Sequence, residues 1–311
     1  IGGAQEMMVG STATLVGITK EMALWDTPFL FNNTKEADAV LDGPVGEEIL
    51  KGCEEQGFVG LAFYDSGARS IYAKKPLRTV ADAKGLKIRV PPELAIKAAF
   101  EALGASTQTI AFQEVYLALA NKVVDGQDNP VGTTFAAKFF EAQKHLALTR
   151  HIYASIMFCA NPRTWTTKLN EAQRKIVQEE GTTAGMAARK GVRDNEEANL
   201  AAMQKAGVEI TRPDVGPFRD KMGPAYDQLR KALGEDKANL LIDRILQGSD
   251  VSGIESLKWM DASSVAELLR NEHPQIVAAI LVHLEYDQTA DVLKNLTERQ
   301  RNEVMLRVAT M

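Results

Sequence analysis

The stretch from Gly85 to Pro130, GLKIRVPPELAIKAAFEALGASTQTIAFQEVYLALANKVVDGQDNP, constrains this chain more than any other. A short apolar run, Leu86-Lys87-Ile88-Arg89-Val90, ends at Pro91-Pro92. Proline donates nothing to a strand ladder and restricts the residue before it, so a strand should stop there. Arg89 then sits at the strand's exit, where open α/β sheets hold their ligands. A helical pattern follows through Leu94, Ala98 and Leu103 and closes on Gly104. A second helix, over about Phe112 to Asn121, leads to Val123-Val124 and a polar turn from Asp125 to Pro130. By spacing alone, Arg89 reads as a strand-end arginine paired with a surface carboxylate.

A chain of 311 residues, 45% of them hydrophobic, suffices for about two domains. A formal net charge of -5 and the lack of a basic stripe argue against a general nucleic-acid binder. No run approaches the roughly eighteen apolar residues of a membrane span; Ile276 to Leu284 comes nearest and is interrupted by His283. Cys53 and Cys159 follow no metal or redox spacing and read as unpaired core residues. There is no phosphate loop, no H-E-x-x-H, no nucleophile elbow and no cysteine paired with a base. Neither an enzyme nor a cofactor or metal is expected. The chain begins at Ile1 without a charged-then-apolar leader and stops at Met311 inside a helical pattern, so both ends read as cut.

Elsewhere in the first 230 residues, strands and helices alternate. Gln5 to Leu15 is a strand running into a loop with Ser11, Thr12 and Thr14. Trp25 to Phe31 is an apolar stretch after a turn. Helices are expected over Thr34 to Val40 and Gly46 to Gln56. Phe58 to Tyr64 reads as a buried strand delivering Asp65 to Arg69 into a loop, with Ser70 to Ala73 a further strand. Thr133 to Glu141 is a helix, and Lys144 to Thr149 and Ala154 to Ala160 are two strands. His145 and His151 read as bulk polar residues rather than metal ligands. Asn170 with Gln173 forms a capping box for a helix to Ala206, in which Gly181, Gly185 and Gly191 predict a kink. A short strand over Val208 to Ile210 and a helix over Pro217 to Leu229 follow.

"GLKIRVP", "AFQEVYLAL" and "VDGQDNP", in this order and spacing, resemble the solute-binding proteins of tripartite ATP-independent periplasmic (TRAP) transporters, the DctP family, over about residues 1–230. The resemblance implies a two-lobed, periplasmic-binding-protein-like α/β fold without its first strand–helix units. Residues 1–67 and 155–230 would form lobe I and residues 68–154 lobe II, with a long helix across both. It further implies that Arg89 makes a bidentate contact with the carboxylate of a small organic acid. Arg69, twenty positions earlier in a G-x-R turn, would add a second contact, although alone it reads as a solvated loop arginine. Asn129 would offer its amide and Phe112 would pack on the ligand's carbon skeleton, with Pro92, Gln127 and Ser11 as weaker candidates. Pro92 stands where sialic-acid binders carry a polar residue, which speaks against sialic acid and leaves C4-dicarboxylates, other sugar acids and other small carboxylates open. The implied partners are TRAP membrane permease subunits, and the implied location is the periplasm.

From about Lys231 the pattern changes to short amphipathic helices: Leu240 to Leu246 ended by Gly248, one capped by Asp261 and running to Arg270, one from His273-Pro274, and a last one opened by the capping box Thr297 to Gln300. In the third, Ile276, Ile280 and Leu284 fall at i, i+4 and i+8, with Val277 and Leu281 beside them, as expected of a buried helix. The segment 231–311, including "SGIESLKWMDASSVAELLRNEHPQIVAAILVHL", resembles the flagellar motor-switch protein FliG at the end of its N-terminal domain and the first part of its middle domain. That implies an all-α, armadillo-like stack in which Glu272-His273-Pro274-Gln275 docks the switch protein FliM at the cytoplasmic face of the motor. His273-Pro274 also serves as a plain helix start. Because the two halves belong to different compartments, the chain reads as a chimera of two fragments joined near Gln228 to Ala232.

Overall fold

Two long antiparallel strands, β2 (Val59–Ala73) and β6 (His145–Ala160), form the ribbon on which the first part of the molecule is built. The computed structural model describes residues 5–245, 262–270, 274–282, 284 and 286–308, and the chain divides into two compact units, Ile1–Ile242 and Asp243–Met311.

In the first unit, β1 (Met7–Ser11) pairs antiparallel with the second half of β6, while β7 (Glu209–Thr211) pairs parallel with its first three residues. On the far side of the ribbon, β5 (Gly126–Pro130) joins only the second half of β2, from Arg69 to Ala73. Parallel strands β3 (Lys87–Val90) and β4 (Ser106–Thr109) complete the order β1-β6-β2-β5-β3-β4. Beyond β1, α1 (Thr34–Leu41) is capped by Asn33, whose side chain accepts from the Lys35 and Glu36 amides at 3.0 Å each, and α2 (Pro44–Gly52) starts on proline. Helix α3 (Leu94–Ala102) fills the parallel crossover between β3 and β4 and packs against α9 (Gly223–Leu233), so Ile88, Val90, Ile96, Phe100 and Ile152 share one core with Phe218. Each such fully buried side chain contributes about 1.5–3 kcal/mol.

Several elements depart from expectation. Asp65 to Arg69 is not a loop. Strand β2 runs straight through it, absorbing a register shift between Asp65 and Ala68 at Gly67, whose φ of 95° suits glycine. Asp125 to Pro130 is not a surface turn, because Gly126–Pro130 is the fully buried β5, held between β2 and β3. The two strands expected before Asn161 are one, β6, again with a register irregularity near its middle. Lys138, with φ 57°, splits the helix after Pro130 into α5 (Val131–Ala136) and α6 (Phe139–Ala142). Likewise α8 (Gly216–Arg219) stands apart from α9. Between β4 and β5, α4 (Val115–Ala120) continues a tighter turn over Phe112–Glu114.

The capping box at Asn170 and Gln173 forms as read, and α7 (Glu171–Lys205) extends from it for 35 residues without a break. Its glycines give close approach rather than a kink. A β-carbon on Gly181 would lie 2.8 Å from the Phe158 ring, and one on Gly185 would lie 2.8 Å from the Tyr64 ring. Charged pins fasten the same helix. Arg189 binds Asp42 and the Phe63 carbonyl, and Arg193 spans Asp38 and Asp65. Arg193 is also raised further above its usual range, by its hydrogen bond to Asp38 and against partial burial. Helix α10 (residues 235–245) begins inside the first unit, where Lys237 pairs with Glu21.

The second unit contains α11 (Ala262–Leu269), α12 (Pro274–Leu281), α13 (Tyr286–Asn295) and α14 (Glu298–Val308). Helix α11 packs on α13 and α12 on α14 around Val265, Leu269, Val277, Leu281, Val292 and Val304. The inward face of α12 is Val277, Ala278 and Leu281, whereas Ile276 is 48% exposed, so the expected stripe is turned by about one residue. Thr297 caps α14 as read, and the expected Asp261 cap and Gly248 stop lie outside the described residues.

The glycine contacts give a paired prediction. Gly181→Ala and Gly185→Ala should each destabilise the protein by about 1–3 kcal/mol through overpacking. Gly191→Ala, with nothing within 4 Å of its added carbon, should stabilise it by about 0.5–1 kcal/mol. Urea unfolding of the three variants measures both signs.

Candidate functional site

The site is built where β2, β3 and β5 run side by side. On β5, side-chain alternation sends Asp128 to one face and Gln127 and Asn129 to the other. Asp128 lies opposite Ile71 on β2, so Arg69, two residues earlier on the same face, reaches it diagonally. The guanidinium closes on Asp128 with Nε to Oδ2 at 2.6 Å and Nη2 to Oδ1 at 3.0 Å, and Nη2 also donates to the Asp128 carbonyl at 2.7 Å. Both side chains are buried. Burial alone would push Asp128 up, but Arg69 and a hydrogen bond from His151 hold it well below the usual carboxylate range. Burial opposes the charge on Arg69 too, and Asp128 more than restores it.

Arg89 differs. It lies opposite Gln127 in the β3–β5 pairing and is 3% exposed, yet its hydrogen-bond partner among the described residues is a single carbonyl, that of Ile110, which accepts from Nε at 2.9 Å. Among the described residues no carboxylate lies within ion-pairing distance of it. Burial, helped by repulsion from Arg69 and resisted by Asp128, pulls its pKa down to about 10. Both arginines therefore sit in the field of Asp128, one satisfied by a carboxylate and one not.

Asn129 donates to Gln127 Oε1 at 2.6 Å, and Gln127 Nε2 donates to Thr134 at 3.2 Å, so these two expected residues form one buried amide chain. Phe112 is 43% exposed, packs its ring 5.4 Å from that of Phe139, and follows the Ile110 carbonyl by two residues. Pro92 is exposed at the start of α3. Ser11 ends β1 opposite Ile156, and no described contact brings it to the arginines. Glu272 and His273 lie outside the described residues; Pro274 opens α12 and Gln275 follows it.

Four residues of the cluster were not singled out from sequence. Asp128 was read as part of a turn. His151, read as bulk polar, is 6% exposed and held between Asp128 Oδ2 (3.3 Å) and Thr149 Oγ1 (2.8 Å), with the edge of Phe100 against it. Glu93, 3% exposed, caps α3 by accepting the Ile96 amide at 2.7 Å. Asp26 is 1% exposed and its Oδ2 has no hydrogen-bond partner. Burial raises Asp26 well above the usual carboxylate range, reinforced by Glu93 and Asp128 and opposed by Arg69. A polar residue flanked by apolar ones, as Asp26 is by Trp25 and Pro28 to Phe31, is the sequence signal that could have found it. Among the described residues no group of His, Cys, Asp and Glu is placed to hold a metal, and no helix is long and apolar enough to cross a membrane.

The mixed α/β fold of the first unit is that of the periplasmic-binding-protein class. The chain belongs to the DctP family, bacterial extracellular solute-binding protein family 7, whose match covers residues 1–232. Members of this family are solute-binding components of transporters, not enzymes. Residues 262–311 match the FliG middle domain. The chain is 33% identical over 252 residues to the 2,3-diketo-L-gulonate-binding periplasmic protein YiaO of Escherichia coli K12, covering 80% of this chain and 73% of that protein. It is 30% identical over 240 residues to the C4-dicarboxylate-binding periplasmic protein DctP of Rhodobacter capsulatus, covering 75% and 72%. The crystal structure of a TRAP periplasmic solute-binding protein from Polaromonas sp. JS666 bound to D-erythronate superposes with a TM-score of 0.74 at 32% identity, covering 77% of this chain and 80% of that one.

Asp26 gives a stability prediction with a definite sign. Its pKa is higher folded than unfolded, so its contribution to stability is fully present below about pH 4 and lost as pH rises through the folded value. Asp26→Asn removes that loss and should stabilise the protein at pH 7 by on the order of 1–3 kcal/mol, with little gain at pH 4. Thermal melts at the two pH values test this, and equal shifts at both would contradict it.

Proposed function

We propose that residues 1–232 capture a small organic acid through an arginine–carboxylate clamp and deliver it to the membrane permease subunits of a TRAP transporter. The observation that carries this reading is Arg89: a buried guanidinium with one carbonyl partner and no carboxylate among the described residues. Leaving such a charge uncompensated is costly, and an incoming carboxylate supplies the two parallel, charge-assisted bonds that a guanidinium fork is shaped for. Asp128 fixes Arg69 on β2, so the second cation, whose charge reaches Arg89, adds its field from a rigid position. Gln127 is the register partner of Arg89, and its amide chain with Asn129 offers hydrogen bonds to the acid or a neighbouring hydroxyl. Phe112 covers the ligand's carbon skeleton, and Pro92, Gln127 and Ser11 make weaker contacts. Residues 1–67 with 155–230 and residues 68–154 act as the two lobes, with the β2–β6 ribbon and α7 passing between them. Sugar acids, as in the D-erythronate-bound relative, are the preferred solute class, and the periplasm is where the relatives' names place this work.

A second reading concerns the helical unit, and the match of residues 262–311 to the FliG middle domain favours it. In that reading Glu272, His273, Pro274 and Gln275 dock a FliM-type protein at the cytoplasmic face of a flagellar motor, and the whole chain is a chimera of two fragments. Co-elution of the full chain with purified FliM in gel filtration tests it, and separate elution counts against it.

For the clamp, Arg89→Lys keeps the charge and loses the fork. Titration calorimetry with D-erythronate should show a loss of about 3–4 kcal/mol, a few hundredfold in affinity, with the melting curve unchanged. Undiminished affinity would remove Arg89 from the site.

A further inference from the structure

A second groove, of about 760 Å³, opens on the first unit between the end of β2, the C-terminus of α4 and the end of α6. Lys74, Tyr116, Lys122, Asp125, Glu141 and Gln143 supply its polar lining, and none of them belongs to the clamp. Two of the six are held at a local cost. Helix α4 ends in a Schellman motif: the Val123 amide donates to the Ala118 carbonyl at 2.8 Å and the Lys122 amide to the Leu119 carbonyl at 3.0 Å. Lys122 therefore occupies the left-handed position, with φ 58°, where glycine is the least strained residue. Its ammonium makes no ion pair among the described residues. Gln143 is 3% exposed and its Oε1 has no hydrogen-bond partner, a destabilising state for a buried amide oxygen.

The other polar groups are partly committed. Lys74 pairs with Asp125 at 2.7 Å, and Asp125 also accepts the Lys87 amide at 3.0 Å, so the Lys74–Asp125 pair is neutral. Tyr116 donates to Glu141 Oε2 at 3.2 Å and leaves Oε1 uncommitted among the described residues. What remains is an ammonium at Lys122, a carboxylate oxygen at Glu141 and an amide oxygen that needs a donor. Glu141 repels a simple anion and Lys122 repels a simple cation. A molecule that carries both an ammonium and a carboxylate suits all three groups.

We propose that this groove binds a small zwitterion, in its simplest form an ω-amino acid, independently of the clamp on β2, β3 and β5. The ligand's ammonium donates to Gln143 Oε1 and Glu141, and its carboxylate pairs with Lys122. Leu119 and Val124 line the same groove and give apolar contact to the methylenes between the charged ends. The volume lies within the range of small-molecule sites, about 300–1,000 Å³. A lysine at a glycine position and an unpaired buried amide each break a local rule, and such departures collect where a chain does its work.

Titration calorimetry of the full chain with γ-aminobutyrate tests the site, with D-erythronate present in excess to occupy the clamp. The expected result is one γ-aminobutyrate bound per chain, with butyrate, butylamine and erythritol each at least tenfold weaker. Lys122→Gly should raise the melting temperature of the free protein, because glycine suits the left-handed position, and yet weaken γ-aminobutyrate binding at least tenfold. Gln143→Leu, which replaces the unpaired amide at similar volume, should weaken binding as much without lowering the melting temperature. A side chain kept only for folding would give the opposite sign in the melts, so lower melting temperatures in both variants overturn the proposal. So do unchanged γ-aminobutyrate affinity in both variants, equal affinity for butyrate, butylamine or erythritol, or no binding of γ-aminobutyrate by the wild type at millimolar concentration.

Discussion

The Arg69–Asp128 pair is the interaction around which the binding region is ordered. A carboxylate buried this deeply is tolerable only if a cation meets it with good geometry, and here the pairing is bidentate with a further bond to the backbone carbonyl. Two strands distant in sequence must therefore hold one register. The shift in β2 at Gly67 and the irregularity in β6 both fall next to this point, so the ribbon changes its pairing where the charged pair is inserted. Because Asp128 also holds His151, the pair ties β2, β5 and β6 at one level. Arg89 is left as the unneutralised cation. The structure thus separates a guanidinium paired with a carboxylate from one bonded to a single carbonyl.

The long helix α7 solves a different problem on the first half of β2. Among the described residues no strand pairs with that edge on the side away from β6, and its carbonyls at Leu61 and Phe63 accept instead from the side chains of Gln178 and Arg189. Side-chain donors replace a ladder, as buried carbonyls require. A groove of about 510 Å³ borders this edge between α2 and α7. Bringing the helix this close needs glycines under the Phe158 and Tyr64 rings, which explains why residues poor at helix formation occupy the middle of a 35-residue helix.

The helical unit rests on separate physics. Its described core is aliphatic, gathered by four short helices, and charged contacts such as Arg270 with Glu267 and Lys294 with Asp291 lie on its surface. Such exposed pairs contribute little, about 0–1 kcal/mol each, so packing is what holds this unit together. Among its described residues nothing resembles the charge-dense interior of the first unit, which agrees with the two halves matching different families.

Local sequence determined the parts governed by local physics. The proline stop after β3, the Asn170 capping box, the Thr297 cap and the family motifs around Arg89 were legible because a cap, a proline and a short motif act within a few residues. The placement of Arg89 at the end of its strand could be read in the same way, whereas Arg69 was expected in a loop and Gln127 and Asn129 in a turn, and they stand on β2 and β5. Their partners could not be read. Asp128 looked like a turn residue because its polar neighbours are satisfied by one another inside the sheet, and His151 looked unremarkable because its meaning depends on a strand 23 residues upstream. Asp26 and Glu93 became buried carboxyls only when the chain folded. Burial and charge pairing are properties of that arrangement: the same carboxyl is an ordinary solvated acid on a loop and a costly, proton-binding one in a dry cluster, and only the tertiary structure decides which.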